Sequence, residues 1–486
     1  MEIVFVSAEV APFSKVGGLA DVASALPKAL RMLGHRVLVC SPLYRGIRPE
    51  EHSLARRLSR LEVRVGQRTF AVEVHEGKLA SGVEVAFFGV PGLLDRAVYG
   101  EPGGEPYPDN HVRFAVLCRA ALELCRGRER PVDVFHAHEW TTALVPLYLR
   151  NEYSGDRRVG GAHTVFTIHN LAYQGIYPKE AMLELGIPWE LWTPDGVEFY
   201  EKLNLLKAGI VSSERLTTVS PTYARQILTT EHGHGLDGLL RLRRDALAGI
   251  LNGIDYSVWN PATDPALPAR YDAEDPGGKL RCKAELQRVL ALPVRPEAPV
   301  MGVVSRLVHQ KGFDLFGEIA TRVLRQDVQL VVLGEGDPAL RAMFEDLRKR
   351  FPERVAVRSG YDDRLAHLIM AGSDLYLMPS RFEPSGLTQM YAMRYGAVPI
   401  VRRTGGLADT VVDCDASGTS GTGFAFETFE PAALYGAIGR AVALFHDRAA
   451  FIQVMRRAMR LDHSWDRSAR MYDQIYRELA AADDDR

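Results

Sequence analysis

Five cysteines are all that 486 residues contain, and no two of them form a C-x-x-C pair. An odd, scattered set fits neither a disulfide framework nor a structural zinc site, and points to a reducing compartment. An excess of positive charge is missing too. The 59 Lys and Arg stand against 61 Asp and Glu, a formal net charge of −2 that denies the chain the basic field needed to hold nucleic acid. Any phosphate bound here must be bound locally. No apolar run reaches membrane length, and the opening strand-like stretch, broken by Ser7 and Glu9, lacks the basic segment and long apolar core of a signal peptide. Low-complexity tracts and tandem short repeats are absent. The expectation is a cytoplasmic protein with no nucleic-acid or membrane partner, and the sequence leaves its oligomeric state open.

What is present is alternation. Apolar runs over residues 3–10, 36–40, 132–136 and 164–168 are separated by stretches of helical spacing such as 22–32, while shorter alternating segments near 61–65 suggest added hairpins. Glycines and prolines over 92–109 read as a mobile surface loop. After Leu251-Asn252-Gly253-Ile254-Asp255 and a proline-rich stretch, the pattern restarts with runs over 300–304, 328–333, 355–357, 375–378 and 398–401. Strands alternating with helices imply parallel sheets covered on both faces, so the fold class is α/β with two doubly wound domains. Boundaries are expected at 1–248 and 249–464, with a C-terminal helix within 465–486 that returns to the N-terminal domain.

One seven-residue pattern occurs twice, as Lys15-Val16-Gly17-Gly18-Leu19-Ala20-Asp21 and as Arg403-Thr404-Gly405-Gly406-Leu407-Ala408-Asp409. Each copy follows an apolar run and precedes helical spacing. A helix start leaves amides without internal partners and the glycines allow close approach, so such a turn can hold an anion. It is also an ordinary strand-to-helix connection. A cation at the same place in both copies favours the anion reading and suggests two domains serving one charged ligand.

Arg306 and Lys311 follow the run over 300–304, where two cations at a strand's carboxyl end can stabilise a diphosphate or simply remain solvated. In Met378-Pro379-Ser380-Arg381-Phe382-Glu383-Pro384-Ser385-Gly386-Leu387-Thr388-Gln389, Glu383 can either cap the helix that follows or accept hydrogen bonds from sugar hydroxyls. His169 ends the run over 164–168, as a satisfied core histidine or as a substrate contact. Two carboxylates flanking a glycosidic bond are not evident, which argues against a glycosidase. The D-x-D match Asp413-Cys414-Asp415 reads as a solvated helix end, so no metal or other cofactor is expected.

Taken together, Ser7-Ala8-Glu9-Val10-Ala11-Pro12, the Lys15 to Asp21 motif, His169-Asn170-Leu171-Ala172-Tyr173-Gln174-Gly175, Leu251 to Asp255, and the 379–389 and 402–409 stretches resemble the bacterial glycogen synthase and plant starch synthase family of retaining glycosyltransferases. The resemblance spans essentially the whole chain. It implies two Rossmann-like domains around a deep cleft (the GT-B type), ADP-glucose as donor and a growing α-1,4-glucan such as glycogen as acceptor. By resemblance, Lys15 and the Gly17-Gly18 turn contact the donor, Asp21 and His169 line the sugar site, and Arg306 and Lys311 grip the diphosphate. Glu383 holds glucose hydroxyls, the amides of Gly405 and Gly406 face sugar or phosphate, and Tyr361 stacks on the base. Asn252, Ser385, Gly386, Leu387 and Thr388 complete the implied substrate contacts. Five positions depart from the family pattern: Ser385 where many members have Cys, Glu139 and Thr141 where they have Asp and His, Leu94 where some have Tyr, and Tyr391 where the wider class has a second Glu. A GT-B enzyme with a small acceptor, a pyridoxal-phosphate glucan phosphorylase and a non-catalytic glucan-binding protein are the competing readings.

Overall fold

The apolar runs become the central strands of two separate sheets, because side chains buried on both faces leave no reason to alternate polar and apolar residues. The computed structural model describes residues 1–101, 104–360 and 362–484; Tyr361, expected on the nucleotide base, lies outside them. The chain divides into two compact units, Met1–Gly253 with Trp465–Arg486, and Ile254–Ser464. The division falls after Gly253 rather than after residue 248. The strand Leu247–Gly249 pairs in parallel with Arg215–Thr218, and the Ile250 N–H donates to the Thr218 carbonyl at 2.8 Å, so the first sheet carries the chain past the expected boundary.

In the first unit the strand order is Leu247–Gly249, Arg215–Thr218, His163–Ile168, Val134–His138, Glu2–Val6, Arg36–Pro42, Glu84–Gly89, Arg68–Lys78 and Ala55–Arg56. Pairing is parallel as far as Glu84–Gly89 and antiparallel beyond it, where Leu61–Val65 and Arg68–Lys78 form a hairpin. Glu2–Val6 is first in sequence; the chain adds Arg36–Pro42 and Glu84–Gly89 to one side of it, then crosses over to add Val134–His138, His163–Ile168 and Arg215–Thr218 to the other. The switch point therefore lies between Glu2–Val6 and Val134–His138, and loops leaving their carboxyl ends form the expected binding edge.

The second unit holds an all-parallel six-stranded sheet in the order Val355–Arg358, Gln329–Leu333, Val300–Val304, Leu375–Met378, Val398–Arg402 and Phe424–Phe426. Its switch point lies between Val300–Val304 and Leu375–Met378, the strands that lead into Arg306, Lys311 and Glu383.

Trp465–Asp484 is a helix of the first unit. Trp465, Ala469, Tyr472, Tyr476 and Leu479 recur at helical spacing and pack into one core with Phe5, Val22 and Leu26. Tyr476 Oη lies 2.7 Å from His136 Nδ1, and Asp473 pairs with His35 at 2.8 Å. Residues 93–98, the first part of the stretch expected to be mobile, are tightly held. Arg113 is fully buried beneath them and donates to the carbonyls of Leu93, Ala97 and Val98 at 2.8 to 3.0 Å. Glycines and prolines mark where a chain turns, but a buried guanidinium decides whether the turn can move.

Candidate functional site

At the edge of the first sheet the chain leaves Val6 and within three residues buries a carboxylate, Glu9. Its Oε2 accepts from the amides of Val16 and Gly17 at 2.7 and 2.8 Å, and its Oε1 accepts from the Tyr99 hydroxyl at 2.7 Å. The anion that this turn holds is therefore the protein's own. The Gly17 N–H expected to face the donor is engaged internally, and the turn is fastened in place. Lys15, partly exposed, lies 2.8 Å from Asp21 Oδ1, so the two charged members of the motif pair with one another. Glu9 was not singled out from the sequence. Its signal was a lone carboxylate in an otherwise apolar segment.

The neighbouring strand ends contribute a second group. His138 Nδ1 and His169 Nε2 are 3.0 Å apart, while the amides of His169 and Asn170 donate to Glu139 Oε1. Glu139 adopts φ = 67°, a left-handed conformation that a non-glycine residue holds only when its surroundings enforce it. Burial pushes its carboxyl up to about 8, against the pull of those amides. Burial lowers His169 to about 3 and takes His138 well below the usual histidine range, so both rings are neutral near pH 7. Asn252 is buried at the end of this unit.

In the second unit Lys311 Nζ and Glu383 Oε2 are 2.6 Å apart, and the Ser380 hydroxyl donates to the same oxygen at 3.0 Å. Glu383 is buried and Lys311 mostly so. Ser305, Lys311, Tyr376, Ser380 and Thr388 line one small pocket at the switch point. Arg306 stands exposed on the same loop; its carbonyl accepts from the Ser305 hydroxyl at 3.1 Å, and no side-chain hydrogen bond or ion pair engages its guanidinium among the described residues.

Gly405 and Gly406 turn out to support this turn. The Gly406 N–H donates to the carbonyls of Glu383 and Pro384 at 3.0 and 3.1 Å, so it cannot serve a ligand as expected. A Cβ at Gly405 would lie 1.9 Å from the Glu383 carbonyl oxygen, and one at Gly406 would lie 2.0 Å from that of Ser385. Only glycine allows this approach. Gln389 completes the support by donating to the carbonyls of Ser385 and Gly386, while Ser385 is itself buried. The Leu387 side chain packs into the core, which leaves Thr388 as the member of that pair lining the pocket. Tyr391 stacks on Trp259 with ring centroids 4.1 Å apart, an apolar role in place of a second carboxylate. Of the D-x-D pair, Asp413 accepts from Arg440 and the Ala425 amide, and Asp415 is ringed by the hydroxyls of Ser417, Thr419 and Ser420.

Residues 2–242 match the family described as starch synthase catalytic domain, and residues 291–457 match that described as glycosyl transferases group 1. A glycogen synthase of Anaeromyxobacter sp. (strain Fw109-5) is 49% identical over 99% of this chain and 100% of its own length. One of Geotalea uraniireducens (strain Rf4) is 44% identical over 98% of each. Among solved structures, the catalytic domain of Starch Synthase IV from Arabidopsis thaliana, bound to ADP and acarbose, matches with a TM-score of 0.91 at 35% identity, covering 98% of this chain and 99% of that one. The chain belongs to the glycogen synthase and starch synthase family of glycosyltransferases, with the two α/β units of the GT-B fold.

Proposed function

We propose that this protein transfers glucose from ADP-glucose to the non-reducing end of an α-1,4-glucan such as glycogen, with retention of configuration, without a metal ion, and in the cytoplasm. The observation that carries the reading is the family likeness along essentially the whole chain, 49% identity to a glycogen synthase over 99% of its length. No helix among the described residues is long and apolar enough to cross a membrane.

In a retaining transfer the anomeric carbon gains oxocarbenium character while negative charge gathers on the departing phosphate. Preorganised cations at that phosphate then supply the largest stabilisation. Arg306 and Lys311 take this role, and Lys15 is a further cation that contacts the donor. Glu383 accepts hydrogen bonds from glucose hydroxyls, and its pairing with Lys311 couples the grip on the sugar to the grip on the diphosphate. Asp21 orients Lys15, and His169 meets the sugar. Front-face attack by the acceptor hydroxyl, with the leaving phosphate taking its proton, suits a site with no evident nucleophile. Radiolabelled ADP-glucose and UDP-glucose, each supplied with glycogen, test the reading. Label entering polymer faster from ADP-glucose supports it; label found only in small products, or none at all, overturns it.

A further inference from the structure

The hydrogen bond between His138 Nδ1 and His169 Nε2, 3.0 Å long, carries more information than its length. Two neutral imidazoles can form it only if one donates and the other accepts, and the direction fixes the tautomer of both rings. Suppose His169 donates. His138 must then carry its own proton on Nε2, an enclosed atom that meets no hydrogen-bond partner among the described residues. His138 is fully buried, and the rings of His136 and Phe5 stack near it at 4.1 and 5.1 Å. An N–H would be stranded in that interior. With the opposite direction only a lone pair is left unmet there, and orphaned buried N–H groups are the rarer of the two.

The second arrangement puts the proton of His138 on Nδ1, makes His169 Nε2 the acceptor and leaves the proton of His169 on its own Nδ1. His169 is only partly buried and its Nδ1 is not enclosed, so this is the edge of the ring that a ligand can reach. The His138 main chain is held by its amide donating to Thr142 Oγ1 at 2.6 Å and by that hydroxyl donating back to the His138 carbonyl at 2.7 Å, while the ring is confined by burial against His136 and Phe5. We propose that His138 is a positioning residue whose Nδ1–H locks His169 in the Nδ1–H tautomer, so that His169 offers a neutral hydrogen-bond donor, not a base, to an oxygen of the nucleotide sugar. A donor of fixed direction favours an oxygen on which negative charge develops, whereas an accepting nitrogen in the same place would oppose it. The lowered basicity of both rings agrees with a single proton between them.

The proposal rests on the placement of His169 at the donor sugar, but the tautomer can be read without any substrate. In the full-length protein labelled with ¹⁵N at histidine, long-range ¹H–¹⁵N correlation spectra distinguish the two neutral tautomers, and His169→Asn assigns the relevant signals. The expected result is His169 protonated on Nδ1 and bare on Nε2. Protonation on Nε2 overturns the proposal while leaving glucosyl transfer untouched; absence of transfer in the wild type fails the functional reading with the tautomer still measured. Two variants carry the test to the reaction. His138→Asn keeps an N–H near the original Nδ1, and is expected to hold the tautomer and keep kcat within about threefold, well short of the roughly 10²-fold cost of a lost donor. His138→Leu removes the donor; mixed His169 signals and a fall in kcat of about 10²-fold are expected, with KM for glucan unchanged. A His138→Leu protein that retains the Nδ1–H signal and full kcat overturns the proposal.

Discussion

The two copies of the basic-x-Gly-Gly-Leu-Ala-Asp motif share a sequence and each opens a helix, yet their glycines sit in opposite environments. In the first, Gly17 is partly open, a Cβ added there would meet nothing within 4 Å, and the turn is tied by a side-chain carboxylate, Glu9. In the second, both glycines are buried against the carbonyls of Glu383 to Ser385, and the Gly406 amide bonds to main chain. The cations diverge as well. Lys15 pairs with the Asp21 of its own motif, while Arg403 pairs with Glu427, and both partners in that second pair are largely exposed. The motif thus marks a helix start in both units. Its neighbours decide whether the turn presents a cation or braces the Glu383 carboxylate.

Cation deletion tests this contrast with the largest expected effect. Lys15→Ala should lose about 10²- to 10³-fold in kcat/KM, as should Lys311→Ala, Arg306→Ala and Glu383→Ala, because each removes a group to which the proposed function gives a role at the diphosphate or the sugar. Arg403→Ala, the same motif position, should stay within about twofold, since an exposed ion pair contributes roughly 0–1 kcal/mol. Equal losses for Lys15→Ala and Arg403→Ala in steady-state assays would erase the distinction between the copies.

Glycine replacement inverts the ranking of the two turns. Gly406→Ala forces a Cβ onto the Ser385 carbonyl; it should displace the Glu383 turn, cost about 1–3 kcal/mol of stability and slow catalysis about 10²-fold. Gly17 has an extended backbone, φ = −147°, and Gly17→Ala should shift stability by less than about 1 kcal/mol. Thermal unfolding of the two variants, read beside kcat, checks the pair. A Gly406→Ala protein with wild-type melting and rate would show that the second turn yields more readily than its contacts imply.

Much of this arrangement was legible beforehand, and the part that was not has a common cause. Runs such as 300–304 and 398–401 admit little but a buried strand, and Val300–Val304 and Val398–Arg402 lie where those runs placed them. Lys311 and Glu383 could be set at strand ends from local order alone. Their 2.6 Å contact joins residues 72 positions apart and depends on which strands become neighbours. Glu9 is similar, since its partner Tyr99 lies 90 positions away, and so is His138 with His169, brought level because His138 pairs with Thr167 in the sheet register. The end of the first unit was misplaced for the same reason. Leu247–Gly249 is short and only partly buried, and what makes it a strand is its partner.

The Glu9 tie offers a subtler test of the first turn. Glu9→Ala leaves the Val16 and Gly17 amides to water, so the turn should loosen and KM for ADP-glucose rise about tenfold, roughly 1.4 kcal/mol, with kcat less affected. Glu9→Gln retains one oxygen for the two amides and can donate an N–H to the Tyr99 oxygen, and should remain within about threefold of wild type. A large loss of kcat in Glu9→Gln would instead mean that the negative charge itself acts in the reaction.

Chelation should have the smallest effect, and it bears on the region just beyond the second turn. In a metal-dependent transferase the carboxylates of a D-x-D pair must be available to a cation that neutralises the diphosphate. Here Asp413 is held by Arg440 and a backbone amide, and Asp415 by a turn of hydroxyls and amides that holds its carboxyl well below the usual carboxylate range. These contacts use the oxygens that a metal would need. The counter-charge is available elsewhere, in Arg306 and Lys311 at the switch point of the same sheet. Activity should therefore persist in EDTA to within about twofold, a difference of roughly 0.4 kcal/mol in barrier, and Asp415→Asn should be equally mild. Loss of activity in EDTA that Mg²⁺ or Mn²⁺ restores, together with inactivity of Asp415→Asn, would shift the charge-neutralising role from the cations before the second turn to the carboxylates after it.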